Sequence, residues 1–369
     1  MTVPPFYPVT CHPRLSRRQF LIGAGTFLGA SALSHSRGQA GEAGLGIIRE
    51  YATRPDDPWA VAHGLRAMGK GFTIEGGKRA VDHLLERSLA VIPANGKSAL
   101  GFPLEVEVHQ NSFLKTMLEA GVPLDYRFNH EGKRRTLQEV VDGARALFQP
   151  KWATSDPNRL PWSIIALTRT TSLMRGRWTN AWGESVDLEA VVEIALGMLE
   201  RASAPIAEAM QQGRPLVAQA PVHAFTCGGT HMLYSLLTAV HAGYAGRDRA
   251  ERVRQQVNLL VWRLGADVAL IDRFYKERAG QSGAFWYDLD SKLKLLGHAE
   301  ECLAFAETRG VVSLAPTQQT RRQAAVATVR RMLADLQGRR LSEAKALNVE
   351  LYRQLIGDTC HAYHGLHSA

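Results

Sequence analysis

Residues 221–244, PVHAFTCGGTHMLYSLLTAVHAGY, hold the densest group of side chains in the chain that could do chemistry. His223, Cys227 and His231 lie four residues apart, and on an unbroken helix such positions share one face. Imidazole and thiolate are ligands of zinc and of other transition metals. The spacing therefore allows a zinc-like divalent metal site at these three residues.

The two glycines after Cys227 oppose that interpretation. Gly228 and Gly229 break the helix before His231, and the spacing matches no standard zinc motif. We therefore predict no cofactor, with Thr230 capping the next helix and His231 in its first turn, facing a cavity. The free N–H groups of such a helix start bind carboxylate or phosphate.

Other histidines recur where helices begin or loops enter. Imidazole serves as acid, base or ligand near neutral pH, and a catalytic role for these histidines requires that several of them converge in one central funnel. We predict that His231 faces a cavity shared with the stretches around His109 and Trp182. A lone histidine on an apolar helix is more often a packed core residue, so a structural role stays open for each. The candidate catalytic residues are His231, His109, Glu184 and His298, and the candidate ligand-binding residues are His63, Asn111, Trp178, Asn180, Trp182, Thr230 and Tyr234.

Residues 178–184, WTNAWGE, are typical of a sugar-binding cleft. Tryptophan rings pack on sugar faces, while amides and carboxylates bind the hydroxyls. A loop anchored in the core by its tryptophans is an equal alternative. Glycoside hydrolysis would need a second carboxyl group, and the candidates are Asp187, Asp288 and Asp290.

Elimination from a uronate-containing glycan requires a base and a group that neutralises the carboxylate. His231 or His109, together with Tyr234, Asn111 or Arg177, could supply both. The sequence contains no G-x-S-x-G, P-loop, dinucleotide fingerprint, C-x-x-C-H or H-E-x-x-H motif. Classical protease, nucleotide and redox chemistry are therefore disfavoured.

The N-terminal segment has the pattern of a twin-arginine export signal. Residues 16–21, SRRQFL, precede a short apolar run at 20–33 and a small-residue exit at 38–40. We predict export by the twin-arginine machinery to the periplasm or beyond, with the protein membrane-anchored if the signal at 1–40 is retained. Without residues 1–40 the chain keeps 40 basic and 35 acidic side chains. That mild excess indicates a small-molecule or glycan ligand, weakly favours an anionic one, and argues against nucleic acid.

The remaining chain has the hydrophobic periodicity of an all-α protein. We predict a polar joint at 41–46, an extended segment or strand at 100–109, and about a dozen helices forming an (α/α) barrel or toroid. The domain spans 41–369, with the helices from about 311 as a possible appendage. The predicted helices begin at 57 and continue at 77–92, 110–120, 136–148, 161–174, 186–202, 230–242, 247–275, 290–307, 317–336 and 341–361.

Several stretches carry a resemblance to a known group of proteins. They are 57–63 (DPWAVAH), 109–114 (HQNSFL) with 121–125 (GVPLD), 178–184, 227–231 (CGGTH), and 289–290 with 296–298 (LGH). Together they resemble exported, all-helical bacterial proteins without an established activity, whose fold is similar to the α/α toroids. The resemblance implies the fold and export, and it implies no catalytic residue.

The sequence therefore predicts an exported helical protein with a central funnel site. A carbohydrate-active role, as a polysaccharide lyase or a glycosidase, is the leading expectation. A non-catalytic binding or scaffolding protein of the envelope is the alternative. A metal-dependent site at His223, Cys227 and His231 comes third.

Overall fold

The computed structural model describes residues 5–7, 37–244 and 246–368. The twin-arginine pattern at 16–21 and the apolar run at 20–33 lie outside these residues. Helices dominate the part that is described, as predicted. The helices are α1 (Arg37–Tyr51), α2 (Pro58–Met68), α3 (Ala80–Arg87), α4 (Leu104–Glu107), α5 (Ser112–Glu119), α6 (Leu137–Leu147), α7 (Trp152–Ser155), α8 (Leu160–Thr170), α9 (Leu188–Gln211), α10 (Thr230–His241), α11 (Arg247–Lys276), α12 (Ala284–Thr308), α13 (Pro316–Gln337), α14 (Leu341–Leu347) and α15 (Val349–His367).

Within the described residues, three short antiparallel hairpins interrupt the helices. Each hairpin pairs two consecutive strands, and its loop is short. The strands are β1 (Ala90–Ala94), β2 (Lys97–Gly101), β3 (Arg127–His130), β4 (Lys133–Thr136), β5 (Arg177–Thr179) and β6 (Ser185–Asp187). The expected extended segment at 100–109 is only partly so, because β2 ends at Gly101 and α4 follows.

The helix starts follow from capping residues in the sequence. The carboxylate of Asp57 accepts a hydrogen bond from the backbone N–H of Ala60 at 3.1 Å, and Pro58 occupies the first helical position of α2. Asp187 caps α9 in the same way, accepting from the N–H of Glu189 at 3.0 Å. These caps satisfy N–H groups that would otherwise have no partner within the helix.

Several predicted boundaries are wrong. The helix predicted at 77–92 is shorter, because α3 ends at Arg87 and the strand β1 begins at Ala90. The polar joint at 41–46 is helical and belongs to α1, because α1 packs along α13 and α15 and this tertiary contact outweighs the low helix propensity of its glycines. The helix predicted at 341–361 is two helices, because Asn348 leaves the helical conformation and caps α15 with its side chain.

Six helices pack so that each contacts two others of the set. Helix α2 packs against α5 and α15, α8 packs against α5 and α10, and α12 packs against α10 and α15. The long helices α9, α11 and α13 pack against members of this set or against one another. All six contribute side chains to one enclosed cavity. In the described part of the chain, every helix is too short or too polar to span a bilayer.

Candidate functional site

The cavity between these six helices is lined by five histidines. Its volume is about 60 Å³, enough for a metal ion or a few water molecules. Four of the five histidines noted at helix and loop starts lie together here, His223 does not, and a further histidine comes from α15 that was not predicted from the sequence. The five that line the cavity are His63, His109, His231, His298 and His361.

Three of the imidazole rings are in mutual contact. The ring centroids of His298 and His361 lie 4.0 Å apart, those of His231 and His298 4.7 Å, and those of His231 and His361 5.3 Å. Trp162 closes one side, stacking on His109 with centroids 3.8 Å apart and lying 5.0 Å from His231. Side chains from four separate helices thus meet at one point.

Hydrogen bonds fix the tautomer of three of these histidines. The Nδ1–H of His63 donates to the carbonyl of Trp59 at 2.7 Å, and that of His298 donates to the carbonyl of Lys294 at 2.8 Å. The Nδ1–H of His361 donates to the Glu301 carboxylate at 2.7 Å. The Nε2 of His63 and the Nε2 of His298 therefore keep a lone pair, and histidines held in this way are typical of metal ligands.

Burial keeps three of the cavity histidines neutral. It lowers the pKa of His63, His231 and His298 well below the ordinary value, and the neighbouring His361 lowers all three further. A neutral imidazole is the form that binds a metal or accepts a proton. At neutral pH these three side chains are bases with available lone pairs.

Three donor atoms come close enough to hold one metal ion. Those of Cys227, His231 and His298 lie within 4.8 Å of one another. His223, which the sequence analysis grouped with Cys227 and His231, lies elsewhere. Its Nε2 is 3.2 Å from Asp267, and its Nδ1 faces the backbone of Ala220. The third donor atom comes from His298, which is distant in sequence.

The turn before α10 explains the different grouping. The helix break predicted at Gly228 and Gly229 is confirmed, because Cys227, Gly228 and Gly229 all have positive φ. The N-cap of α10 is Gly229, so Thr230 is the first helical residue and does not line the cavity. Its hydroxyl donates to the Cys227 carbonyl at 2.7 Å and so holds the turn closed.

A buried network of charges supports the cavity. Arg66 lies 2.8 Å from Glu301 and 3.3 Å from Glu119, and Lys115 lies 2.6 Å from Glu119. Tyr234, predicted as a ligand-binding residue, belongs to this network, since its hydroxyl donates to Glu119 at 2.8 Å. Burial raises the pKa of Glu119, but Arg66 and Lys115 outweigh it and bring that pKa to about 2.

A second polar group lines the opposite wall. Lys294 donates to Asp290 at 3.0 Å and to Gln354 at 2.9 Å, and it lies 4.0 Å from Asp358. Burial raises the pKa of Asp358 well above its ordinary value, and the adjacent Asp290 raises it further. Asp358 is therefore suited to hold a proton beside the cavity. Asp290 was a candidate for the second carboxyl group of a glycosidase. In the structure its carboxylate accepts a hydrogen bond from Lys294.

The tryptophan-rich stretch at 178–184 does not line the cavity. It forms the β5–β6 hairpin, in which the indole of Trp178 donates to the Arg145 carbonyl at 2.9 Å. Asn180 donates to the Phe148 carbonyl at 2.8 Å and to Glu184 at 2.6 Å, while Trp182 is 36% exposed. Trp178 and Asn180 thus anchor the hairpin to the C-terminal end of α6 and the residue after it, whereas Trp182 is exposed, so the anchored-loop alternative fits Trp178 but not Trp182.

The other predicted residues lie near the cavity wall or on the surface. Asn111 precedes α5 with φ 65°, and its amide donates to the Ser163 hydroxyl at 2.9 Å. Arg177 is exposed and pairs with Asp187 at 2.8 Å. Asp288 pairs with Lys292 at 2.7 Å. None of these four side chains lines the cavity.

The sequence analysis did not select Asp358, His361 or Lys115. One signal for the first two is the spacing of Asp358, His361 and His364, which repeats every three residues and places them on one side of α15. Lys115 carries no such signal, because a buried lysine cannot be told from a surface lysine by type alone.

Comparison with protein-family models, with curated proteins and with solved structures finds no match for the chain. The function is therefore inferred from the residues that line the cavity.

Proposed function

We propose that the protein is an α/α toroid whose central cavity binds a divalent transition metal and uses it for catalysis. Cys227, His231 and His298 are the proposed protein ligands. Zinc fits this donor set, since it is commonly bound by thiolate and neutral imidazole. The six helices that contact one another in cyclic order would be the inner helices of the toroid.

The approach of three donor atoms from separate elements is the observation that carries this proposal. A tetrahedral site with metal–ligand distances of about 2.0–2.3 Å places its donors about 3.4–3.8 Å apart. The donors of Cys227, His231 and His298 already lie within 4.8 Å of one another, so side-chain adjustments of about 1 Å would complete such a site. The fixed Nδ1–H of His298 leaves its Nε2 as the ligand atom.

The surrounding charges permit a cation in this place. Arg66, Lys115 and Lys294 approach the cavity, but each is paired with at least one carboxylate. Their positive charges are therefore largely balanced within the cavity wall. The three low-pKa histidines add no charge at neutral pH.

A site with three protein ligands keeps a fourth position for water or substrate. A metal there polarises a bound group and lowers the pKa of water. Asp358 could hold or return a proton, and His63 could accept one. The reaction class that fits is hydrolysis or elimination on a small group that enters the cavity.

The glycan substrate of the sequence analysis stays a prediction. The volume of about 60 Å³ leaves little space for a sugar ring, and Trp178 and Trp182 lie away from the cavity. Export by the twin-arginine pathway is also retained as a proposal. That pathway carries folded proteins, so a metal acquired before export would travel with the chain.

Elemental analysis of protein purified without added metal tests the proposal. We expect close to one transition metal per chain, and a loss to background in Cys227→Ser and His231→Ala. His241→Ala is the matched control, since His241 lies on the same helix but is exposed. With Co²⁺ added instead, a thiolate-to-cobalt absorption band should appear in the parent and be absent in Cys227→Ser.

A chain that neither contains metal nor binds added Zn²⁺ or Co²⁺ would contradict the metal centre. A metal-independent carbohydrate-active role and the non-catalytic binding or scaffolding role would then be the remaining alternatives. A metal content that survives both Cys227→Ser and His231→Ala would place the metal elsewhere in the chain.

A further inference from the structure

The first described residues, Pro5–Tyr7, are held beneath the turn that carries Cys227. Phe6 is 3% exposed and Tyr7 2% exposed. The Phe6 backbone N–H donates to the Tyr275 hydroxyl at 2.9 Å, and the Gln219 side-chain amide donates to the Phe6 carbonyl. Both backbone groups of Phe6 are thus bonded to side chains far away in sequence.

Phe6 and Tyr7 lie in a pocket with aromatic side chains in its walls. The Phe6 ring meets Phe274 edge-on with centroids 5.6 Å apart, and it meets His223 at 5.9 Å. The Tyr7 ring lies 6.0 Å from His223. His223, which does not reach the cavity, therefore helps to hold the N-terminal residues.

Tyr7 also contacts the Cys227 turn directly. A Cβ added to Gly228 would lie 3.1 Å from the Tyr7 ring and 3.0 Å from the Arg263 guanidinium. Arg263 donates to the Gly228 carbonyl at 2.8 Å. The left-handed turn is therefore packed between Tyr7 and Arg263, and Cys227 is the residue before Gly228.

We propose that this pocket is a peptide-binding site whose partner is the chain's own N-terminal segment, and that docking of Phe6 and Tyr7 stabilises the Cys227 turn. The specificity comes from two consecutive aromatic side chains and from the hydrogen bonds to the Phe6 backbone. Cys227 is half-buried, and loss of the docked residues would loosen the turn and increase the exposure of its thiol. This proposal does not depend on the metal, because it concerns the conformation of the metal-free chain.

Thiol labelling of the full-length, metal-free chain tests the proposal. A Cys11→Ser background is used, since Cys302 and Cys360 are buried and their thiol pKa values are raised by burial. We expect Phe6→Ala/Tyr7→Ala to raise the labelling rate of Cys227 by about tenfold, which equals about 1.4 kcal/mol of local stability. Phe285→Ala, which removes an exposed aromatic ring, is the matched control and should label at the parent rate.

A synthetic peptide of residues 1–10, MTVPPFYPVT, provides the second arm. Added to the Phe6→Ala/Tyr7→Ala chain, it should restore slow labelling, and the same peptide with alanine at positions 6 and 7 should not. Tyr7→Phe keeps the ring against Gly228 and should label at the parent rate. A cooperative thermal transition in each variant shows that the chain is folded.

Equal labelling rates in the parent and in a folded Phe6→Ala/Tyr7→Ala chain would overturn the proposal. So would a peptide that fails to slow labelling of the substituted chain at saturating concentration. Because no metal is present in these measurements, their outcome is independent of the metal content measured for Cys227→Ser and His231→Ala.

Discussion

Glu301 is the residue on which the charges beneath the cavity converge. Its carboxylate lies 2.8 Å from Arg66 and 3.1 Å from His364, and it accepts the Nδ1–H of His361 at 2.7 Å. Burial raises its pKa, but Arg66 and His361 outweigh burial and lower it well below the ordinary value. An ionised Glu301 therefore balances Arg66 and fixes the ring of His361.

Replacing Glu301 by glutamine should destabilise the protein strongly. The substitution leaves Arg66 with less balancing charge, and breaking a buried ion pair on one side costs about 3–5 kcal/mol. The free energy of unfolding is measured by urea denaturation. Glu86→Gln is the control, since Glu86 pairs with Lys78 at the surface and such pairs contribute at most about 1 kcal/mol. A loss below that value in Glu301→Gln would contradict the interpretation.

Residue types alone predicted part of this site. His63, His231 and His298 stand next to a glycine or a cap in the sequence, and that position favoured a cavity-facing role for His231. The partners Lys115 and Glu301 gave no comparable signal, and Asp358 gave only its three-residue spacing with His361 and His364. Their proximity depends on which helices pack together, and hydrophobic periodicity gives the buried face of a helix but not its neighbour.

At the scale of elements, glycines let α12 and α15 pack closely. A Cβ added to Gly365 would lie 2.6 Å from the backbone nitrogen of Glu301, and one added to Gly297 would lie 2.9 Å from the Cβ of Ala362. This close approach brings His298 and His361 within 4.0 Å between ring centroids. The geometry of the cavity thus depends on the absence of two side chains.

Gly365→Ala should separate α12 from α15. The new methyl group meets backbone, which cannot move aside, so we expect a loss of about 1–3 kcal/mol of stability from overpacking. The metal content should fall as well, because His298 lies on α12. Gly265→Ala on α11 is the matched control, since its Cβ meets nothing within 4 Å, and it should stabilise the helix by about 0.5–1 kcal/mol. Equal effects of the two substitutions in calorimetric melting would contradict this account.

The helices were predicted better than the hairpins. Long periodic segments such as α10, α11 and α13 begin and end close to the predicted residues. The hairpins have strands of three to five residues, too short for an alternating pattern to stand out. Asn95 and Gly96 form the turn between β1 and β2, but in the sequence they were interpreted only as a helix break, although Asn-Gly is a strong hairpin signal.

At the scale of the whole molecule, the buried ionisable groups couple folding to pH in opposite directions. Burial lowers the pKa of His63, His231 and His298, so below pH about 6.5 the unfolded chain binds more protons than the folded chain at these residues. Their contribution to stability is present above that pH and is lost as the pH falls towards the lowered values. Burial raises the pKa of Asp358, so its contribution is lost as the pH rises instead.

Two substitutions should therefore change the pH dependence of the metal-free chain in opposite senses. Replacing His231 by glutamine removes one group that takes up a proton on unfolding, so stability should fall less steeply between pH 6.5 and 5.5, by up to about 1.4 kcal/mol per pH unit. Replacing Asp358 by asparagine removes an opposing group, so the fall should become steeper. Urea denaturation at closely spaced pH values measures both slopes. Changes of the same sign in both variants would contradict the assignment of neutral imidazoles and a protonated Asp358. The two substitutions change the slope of unfolding free energy against pH in opposite directions only if His231 takes up a proton on unfolding and Asp358 releases one.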